Sequence, residues 1–201
     1  MRHSAWVLAY HGCDREVGEA ILSGQKEIRP SENDYDWLGT GAYFWENSYS
    51  RAMEWAKFMA SSASPTRSRI SQPFVIGAII DPGDCLDLSE AGCLDILKTA
   101  YRPFVETMSA SGTPMPKNEP AHPDDQDLVK RKLDCAVVNF LHQIRDEGNE
   151  TPFDTVRCPF MEGGSLFDGS KIYSRTHVQW CVRDPGKSIF AYFRPRSPRP
   201  A

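Results

Sequence analysis

The stretch Asp36-Trp37-Leu38-Gly39-Thr40-Gly41-Ala42-Tyr43-Phe44-Trp45-Glu46 decides how this chain is read. Gly39 and Gly41 stand two apart ahead of three consecutive aromatics, and Ser48 then opens a helical pattern. Glycine lets a backbone turn tightly or approach another group closely. Side chains alternate across a strand, so Tyr43, Phe44 and Trp45 cannot all share one face. Two readings stand. One is a buried strand with a glycine bulge at its start. The other is a strand whose aromatics flank a gap left for a ligand.

Upstream, Trp6-Val7-Leu8-Ala9-Tyr10 is a continuous apolar run and predicts a buried strand ending at His11-Gly12-Cys13-Asp14. Asp14 is placed to cap a short helix with Val17, Ala20 and Ile21 inward, stopped by Gly24. Residues 25–38 are polar and turn-rich and read as a loop. Downstream, Asn47 or Ser48 caps a helix whose inner face is Ala52, Trp55, Ala56 and Met59. Residues 61–71 form a Ser/Pro/Arg linker. Residues 74–80 carry the strongest strand signal, followed by the turn Asp81-Pro82-Gly83-Asp84 and a short strand or loop at Leu86 and Leu88.

Residues 90–108 read as a helix that Pro103 kinks or ends. Residues 109–125 are a proline-rich loop. Leu133, Ala136, Val137, Phe140, Leu141 and Ile144 mark a second amphipathic helix, so residues 90–147 form a helical insertion. Residues 153–157 read as a strand, and residues 160–165 as a glycine-containing loop. In residues 176–182, Val178, Trp180 and Val182 share one strand face, and His177, Gln179 and Cys181 the other. Asp184-Pro185-Gly186-Lys187 turns the chain into a last strand, residues 189–193. The tail, residues 194–201, is basic, proline-rich and extended or disordered.

A chain of 201 residues suits one domain spanning 1–201 with an insertion. Hydrophobic residues at 40% and charged residues at 25% exclude wholesale disorder. A formal net charge of −4 speaks against broad nucleic-acid binding and leaves room for a local basic groove. No apolar run reaches membrane-spanning length, and residues 5–10 are too short for a signal peptide, so the expectation is a cytoplasmic protein with no membrane partner. The cysteines at 13, 85, 93, 135, 158 and 181 form no Cys-x-x-Cys pair and no zinc-type spacing. They read as reduced and mostly buried. No metal site is expected, and Cys13 is given no nucleophilic role.

Three places stand out together: Tyr10-His11-Gly12, Gly39-Thr40-Gly41-Ala42-Tyr43-Phe44 with the helix opening at Arg51-Ala52, and His177-Val178-Gln179-Trp180-Cys181-Val182 followed by residues 189–193. In this order they resemble the three motifs of the diphtheria-toxin-like ADP-ribosyltransferases, the group that includes the poly(ADP-ribose) polymerases. The resemblance covers residues 5–60 and 150–195; the middle segment has no counterpart in it. It implies an α+β fold, a split β-sandwich of small, mostly antiparallel sheets around a cleft for NAD as co-substrate. It implies His11, Tyr43 and Gln179 as catalytic residues and His11, Gly12, Gly41 and Tyr43 as cofactor-binding ones. His11 would bond the nicotinamide ribose, the Gly12 backbone the carboxamide, and Tyr43 would stack on the ring.

These roles suit the chemistry. Cleaving a nicotinamide–ribose bond develops positive charge at the anomeric carbon, which calls for orientation and electrostatic support. Gln179 departs from the family, where active members carry glutamate. Glutamine accepts a hydrogen bond but supplies no charge. The resemblance therefore implies mono-ADP-ribosyl transfer or NAD hydrolysis rather than polymerisation, with Glu46 and Glu162 the nearest carboxylates that could replace the charge. The acceptor, protein or nucleic acid, is open. By analogy the setting would be a bacterial toxin or phage-defence effector, with an antitoxin as partner. Two other readings remain: an NAD- or ADP-ribose-binding module without turnover, and an NAD-dependent RNA 2′-phosphotransferase drawing on Arg29, Arg51, Arg157 and Arg175.

Overall fold

A computed structural model describes residues 5–61, 70–120 and 127–196. The expectations for residues 62–69 of the linker, 121–126 of the proline-rich loop and 197–201 of the tail lie outside the described residues. In chain order the elements are β1 (Val7–Asp14), α1 (Arg15–Leu22), β2 (Ala42–Glu46), α2 (Tyr49–Ser61), β3 (Pro73–Ile80), β4 (Cys85–Asp87) and α3 (Ala91–Ala110). There follow β5 (Asn118–Glu119), β6 (Lys130–Arg131), α4 (Lys132–Glu147), β7 (Thr155–Phe160), β8 (His177–Val182), α5 (Pro185–Ser188) and β9 (Ile189–Phe193).

Seven strands form one sheet in the order β4-β7-β8-β2-β1-β3-β9, antiparallel except for the β4–β7 pair. The fold is α+β. Alternation sorts the strand side chains into two faces. Phe44, Trp180 and Val182 face a core shared with Ala9, Ile76 and Ile80, over which Ile21 of α1 packs. Cys181 and Val156 face a second core with Val138 and Leu141 of α4. Trp45 and Val75 meet Ala52 of α2 in a third. Phe44 and Trp180 are fully buried, each worth about 2–3 kcal/mol of apolar transfer. α3 and α4 thus pack on the sheet through Cys93, Ala100, Val138 and Leu141 rather than standing apart.

The sheet has a narrow seam. β1 and β3 pair over eight residues, from Val7↔Ile80 to Asp14↔Pro73. β1 and β2 pair only at Ala9↔Glu46 and Tyr10↔Trp45, with Asn47 N–H adding a bond to the Leu8 carbonyl. Beyond Tyr10 the two strands part. One half is β4-β7-β8-β2, the other β1-β3-β9.

Several local expectations need correction. The first strand runs on through His11 to Asp14, because β3 supplies ladder partners that a local reading cannot see. On α1, Val17 is exposed, while Gly18 and Ile21 are buried. On α2, Trp55 turns partly outward and Ala52 and Ala56 face the sheet. Close contact demands the small residues: a Cβ on Gly12 would overlap the Ala52 carbonyl oxygen. Pro103 sits inside α3 without ending it. The strand expected at 153–157 lies at Thr155–Phe160. Asp14 does cap α1, accepting from Glu16 N–H at 2.9 Å.

Candidate functional site

The site grows from the wedge where β1 and β2 separate. His11 fills it from β1: its Nδ1 donates to the Tyr43 carbonyl at 2.8 Å. A carbonyl oxygen only accepts, so the proton sits on Nδ1, and the neutral ring offers Nε2 as an acceptor. Burial lowers the His11 pKa, opposed by the bond to Tyr43, which favours that neutral form at pH 7. The ring also lies against Phe44 and Trp55, with centroids 5.5 and 6.5 Å away.

Register places the other residues. Trp45 pairs with Gln179 across β2–β8, and Gln179 pairs with Cys158 across β8–β7. Together with Tyr10↔Trp45, this draws one rung across the sheet: Cys158, Gln179, Trp45, Tyr10. Tyr43 pairs with Cys181, so Gln179 is its diagonal neighbour on the same face, a separation of about 7–8 Å between Cα atoms. The structure thus joins His11 to Tyr43 directly and sets Gln179 beside Tyr43.

The loop before β2 closes over this face. The Tyr43 hydroxyl accepts from Leu38 N–H at 2.9 Å and donates to the Gly39 carbonyl at 2.8 Å. Burial, the largest cause, drives its pKa far up, so the phenol stays protonated. Gly39 has φ of 82°, a left-handed conformation that suits glycine. Thr40 N–H donates to Asn139 Oδ1 of α4 at 2.9 Å, tying the loop to the insertion. Gly41 exchanges backbone bonds with Ser31, and a Cβ there would overlap Cys181 Sγ. Both glycines therefore have packing reasons of their own.

Gln179 is held in place. The Trp37 indole Nε1 donates to its Oε1 at 2.6 Å. Trp37 meets Phe160 edge-on at 4.8 Å, and the Arg131 guanidinium lies over both rings, 5.0 and 4.3 Å from their centroids. Such stacking is worth about 0.5–2 kcal/mol per cation–ring pair.

Carboxylates near the site are committed elsewhere. Glu46 accepts from Arg157 Nε and from the Trp180 indole, both at 2.8 Å. Arg157 also reaches Asp87 at 3.1 Å. Burial raises the Asp87 pKa, but bonds from Ser89 and then the Arg157 guanidinium together bring it below the ordinary value. Glu162 lies 3.4 Å from Arg51 on α2 and 3.0 Å from Arg175. It straps the β8 half to the helix that covers β1. His177, the residue that opens β8, donates from Nδ1 to the Arg175 carbonyl at 2.8 Å and stacks on Phe160 at 5.4 Å. Cys13 is buried, and burial raises its thiol pKa to about 12. Among the described residues no three His, Cys, Asp or Glu side chains gather as metal ligands, and no helix is long and apolar enough to cross a membrane.

Sequence reasoning singled out His11, Gly12, Gly41, Tyr43 and Gln179, and missed Trp37, Trp45, Asn139 and His177 as parts of the same surroundings. Trp45 was visible as the third aromatic after Gly-x-Gly, and His177 as the face-mate of Gln179. Asn139 carries no signal of its own in the sequence.

Comparison with known proteins adds one relative. An uncharacterized protein of Methanocaldococcus jannaschii is 27% identical over 199 residues, covering 88% of this chain and 81% of the relative. No protein-family model matches the chain, and no solved structure matches it.

Proposed function

We propose that this chain is an NAD-dependent mono-ADP-ribosyltransferase whose cleft opens at the β1–β2 wedge. One observation carries the reading: residues far apart in sequence, singled out only by motif resemblance, are linked through Tyr43. His11 bonds the Tyr43 backbone, and Gln179 stands diagonally beside Tyr43. The short seam also suits a split sandwich, since two half-sheets joined over two residue pairs leave a gap on one side.

In this reading His11 Nε2 accepts from a ribose hydroxyl. Gly12 brings the backbone close. Tyr43 presents its ring to nicotinamide while its hydroxyl anchors the 38–41 loop, and Gly41 seats that loop against β8. Gln179 Oε1, preset by Trp37, accepts from a ribose hydroxyl as charge develops. The acceptor is a protein or nucleic acid. An antitoxin partner and a toxin role extend the reading by analogy alone.

A specific observation favours a second reading, an NAD- or ADP-ribose-binding module. Gln179 carries no charge, and its oxygen already has a donor in Trp37. The phosphotransferase reading has less support, because Arg51, Arg157 and Arg175 are each paired with carboxylates. Incubation with labelled NAD and whole-cell extract separates the readings. Label on macromolecules supports transfer. Free ADP-ribose alone supports hydrolysis. Binding with neither product supports the module, and no binding of NAD removes all of them.

A further inference from the structure

A second cleft, of about 380 Å³, lies between α3 and α4, and none of His11, Tyr43 and Gln179 lines it. Its walls are aliphatic, with Leu94 and Leu97 on α3 facing Val137 on α4. Leu94 is 49% exposed, so the apolar surface continues out to the mouth and stands open to solvent. Trp37 also lines the cleft. Its indole Nε1 donates to Gln179 Oε1 at 2.6 Å, so one residue belongs to both places. A molecule seated between the two helices would lie against the side chain that presets Gln179.

Volume and charge select the occupant. A water molecule takes about 30 Å³ in the liquid, so the cleft holds on the order of a dozen non-hydrogen atoms. That suits a small ligand and is too little for a two-chain lipid. Flat stacking is not what the walls offer: Leu and Val dominate, and the Arg131 guanidinium already lies over the Trp37 ring at 5.0 Å. Three charged side chains border the space, Lys98, Arg131 and Asp134. Arg131 and Asp134 meet each other at 3.6 Å and offset one another. Lys98 is exposed and forms no ion pair among the described residues. It follows Leu94 by four residues, which puts it on the same helix face. One unmatched positive charge beside aliphatic walls complements an aliphatic body that ends in one negative charge. An ammonium of the same size would meet Lys98 as a like charge.

We propose that the α3–α4 cleft is a binding site for a free medium-chain aliphatic carboxylate, whose occupancy is felt at Trp37. Binding stands apart from the function proposed above; only an effect on NAD turnover would rest on it. The test is titration of the full chain at low salt with octanoate and with octylammonium, followed by calorimetry and by the indole N–H signals in two-dimensional ¹⁵N NMR. The Trp37 signal is assigned by its loss in Trp37→Phe. Octanoate, with about ten non-hydrogen atoms, is expected to bind with a Kd of about 1 mM or tighter and to move the Trp37 signal. It should bind about fivefold more tightly than octylammonium, a preference that shrinks as salt is added. Lys98→Glu should reverse the order of the two ligands, and Leu94→Asp should weaken octanoate by at least about tenfold. Both substitutions are at exposed positions, and thermal melts identify a variant that fails to fold. The wild-type comparison stands without the variants. Octanoate that does not bind by about 10 mM overturns the site. So does octanoate that binds without moving the Trp37 signal, or that is indifferent to both substitutions in folded protein. Octylammonium binding as tightly as octanoate overturns the ligand class. None of these outcomes bears on whether NAD binds at the wedge, so the two readings fail separately.

Discussion

The Trp37 indole nitrogen donates to Gln179 Oε1 across 2.6 Å, linking the loop before β2 to the middle of β8. This contact fixes the amide orientation of Gln179. Its oxygen faces Trp37, and its NH₂ is left for another acceptor. A glutamate at the same place could accept from Trp37 with one oxygen and offer the other to a ribose hydroxyl.

Gln179→Glu is therefore expected to preserve or raise NAD hydrolysis, and Gln179→Ala to slow it by about 100-fold or more, on the order of 2.7–4 kcal/mol of barrier. The alanine change should affect rate more than NAD affinity, because the contact strengthens as charge develops. Single-turnover kinetics at saturating NAD measure both. An alanine variant as fast as wild type would move the catalytic group elsewhere, with Glu162 next to be tested.

His11 acts in this scheme as an acceptor through Nε2, while Nδ1 holds the wedge. His11→Gln keeps an acceptor oxygen and His11→Ala keeps neither function. The glutamine variant should retain more NAD turnover than the alanine variant, and both should fall below wild type. If both turn over NAD like wild type, His11 has only a packing role.

Arg157 is the hub of a polar network on the β7 side, bonded to Glu46 and Asp87 with all three side chains less than a quarter exposed. Removing it strands two partly buried carboxylates. Arg157→Ala should cost about 3 kcal/mol of stability. Urea denaturation at pH 7 checks this; a loss below about 1 kcal/mol would mean that water screens the pair.

His142 on α4 is 5% exposed, and neither ring nitrogen has a hydrogen-bond partner among the described residues. Burial first, then Arg183 and Arg145, lower its pKa to about 3. The unfolded chain holds its proton below about pH 6.5, and the folded one does not until about pH 3. The unfolded state thus binds more protons in that window, so stability is fully present above pH 6.5 and falls as pH drops towards 3. The slope from this group is about 1.4 kcal/mol per pH unit. His11 and His177, also lowered chiefly by burial, act in the same direction. His142→Leu should flatten the loss of stability between pH 7 and 5 by about 2 kcal/mol. An unchanged pH profile would falsify the assignment.

Where local pattern decided structure, the sequence was legible. The Val/Ile-rich strand at 74–80 and the amphipathic helix through Val137 and Leu141 stand where periodicity puts them, whereas the run before His11 is a strand only from Val7 and leaves Trp6 and Leu8 exposed rather than buried. The inward face of β8, with Trp180 and Val182, was readable from alternation alone. What escaped were relations set by distant chain. β1 continues past Tyr10 because β3 pairs with it, and on α2 it is Ala52 and Ala56, not Trp55, that pack against Gly12. The bond from Trp37 to Gln179 and the one from Thr40 to Asn139 leave no periodic trace. His11, Tyr43 and Gln179 were singled out together only through resemblance, not through any periodic pattern.

The seam also governs how the chain can fold. Following the strands in order, the polypeptide passes from one half-sheet to the other between β1 and β2, β2 and β3, β3 and β4, and β8 and β9. Neither half is a contiguous stretch, so neither can be made first on the ribosome or excised as a stable fragment. Pairings such as β2 with β8 must wait for residues synthesised much later. Because loop closure must precede such distant contacts, this topology predicts slow folding. The same interleaving keeps the halves covalently in register, however little backbone pairing joins them.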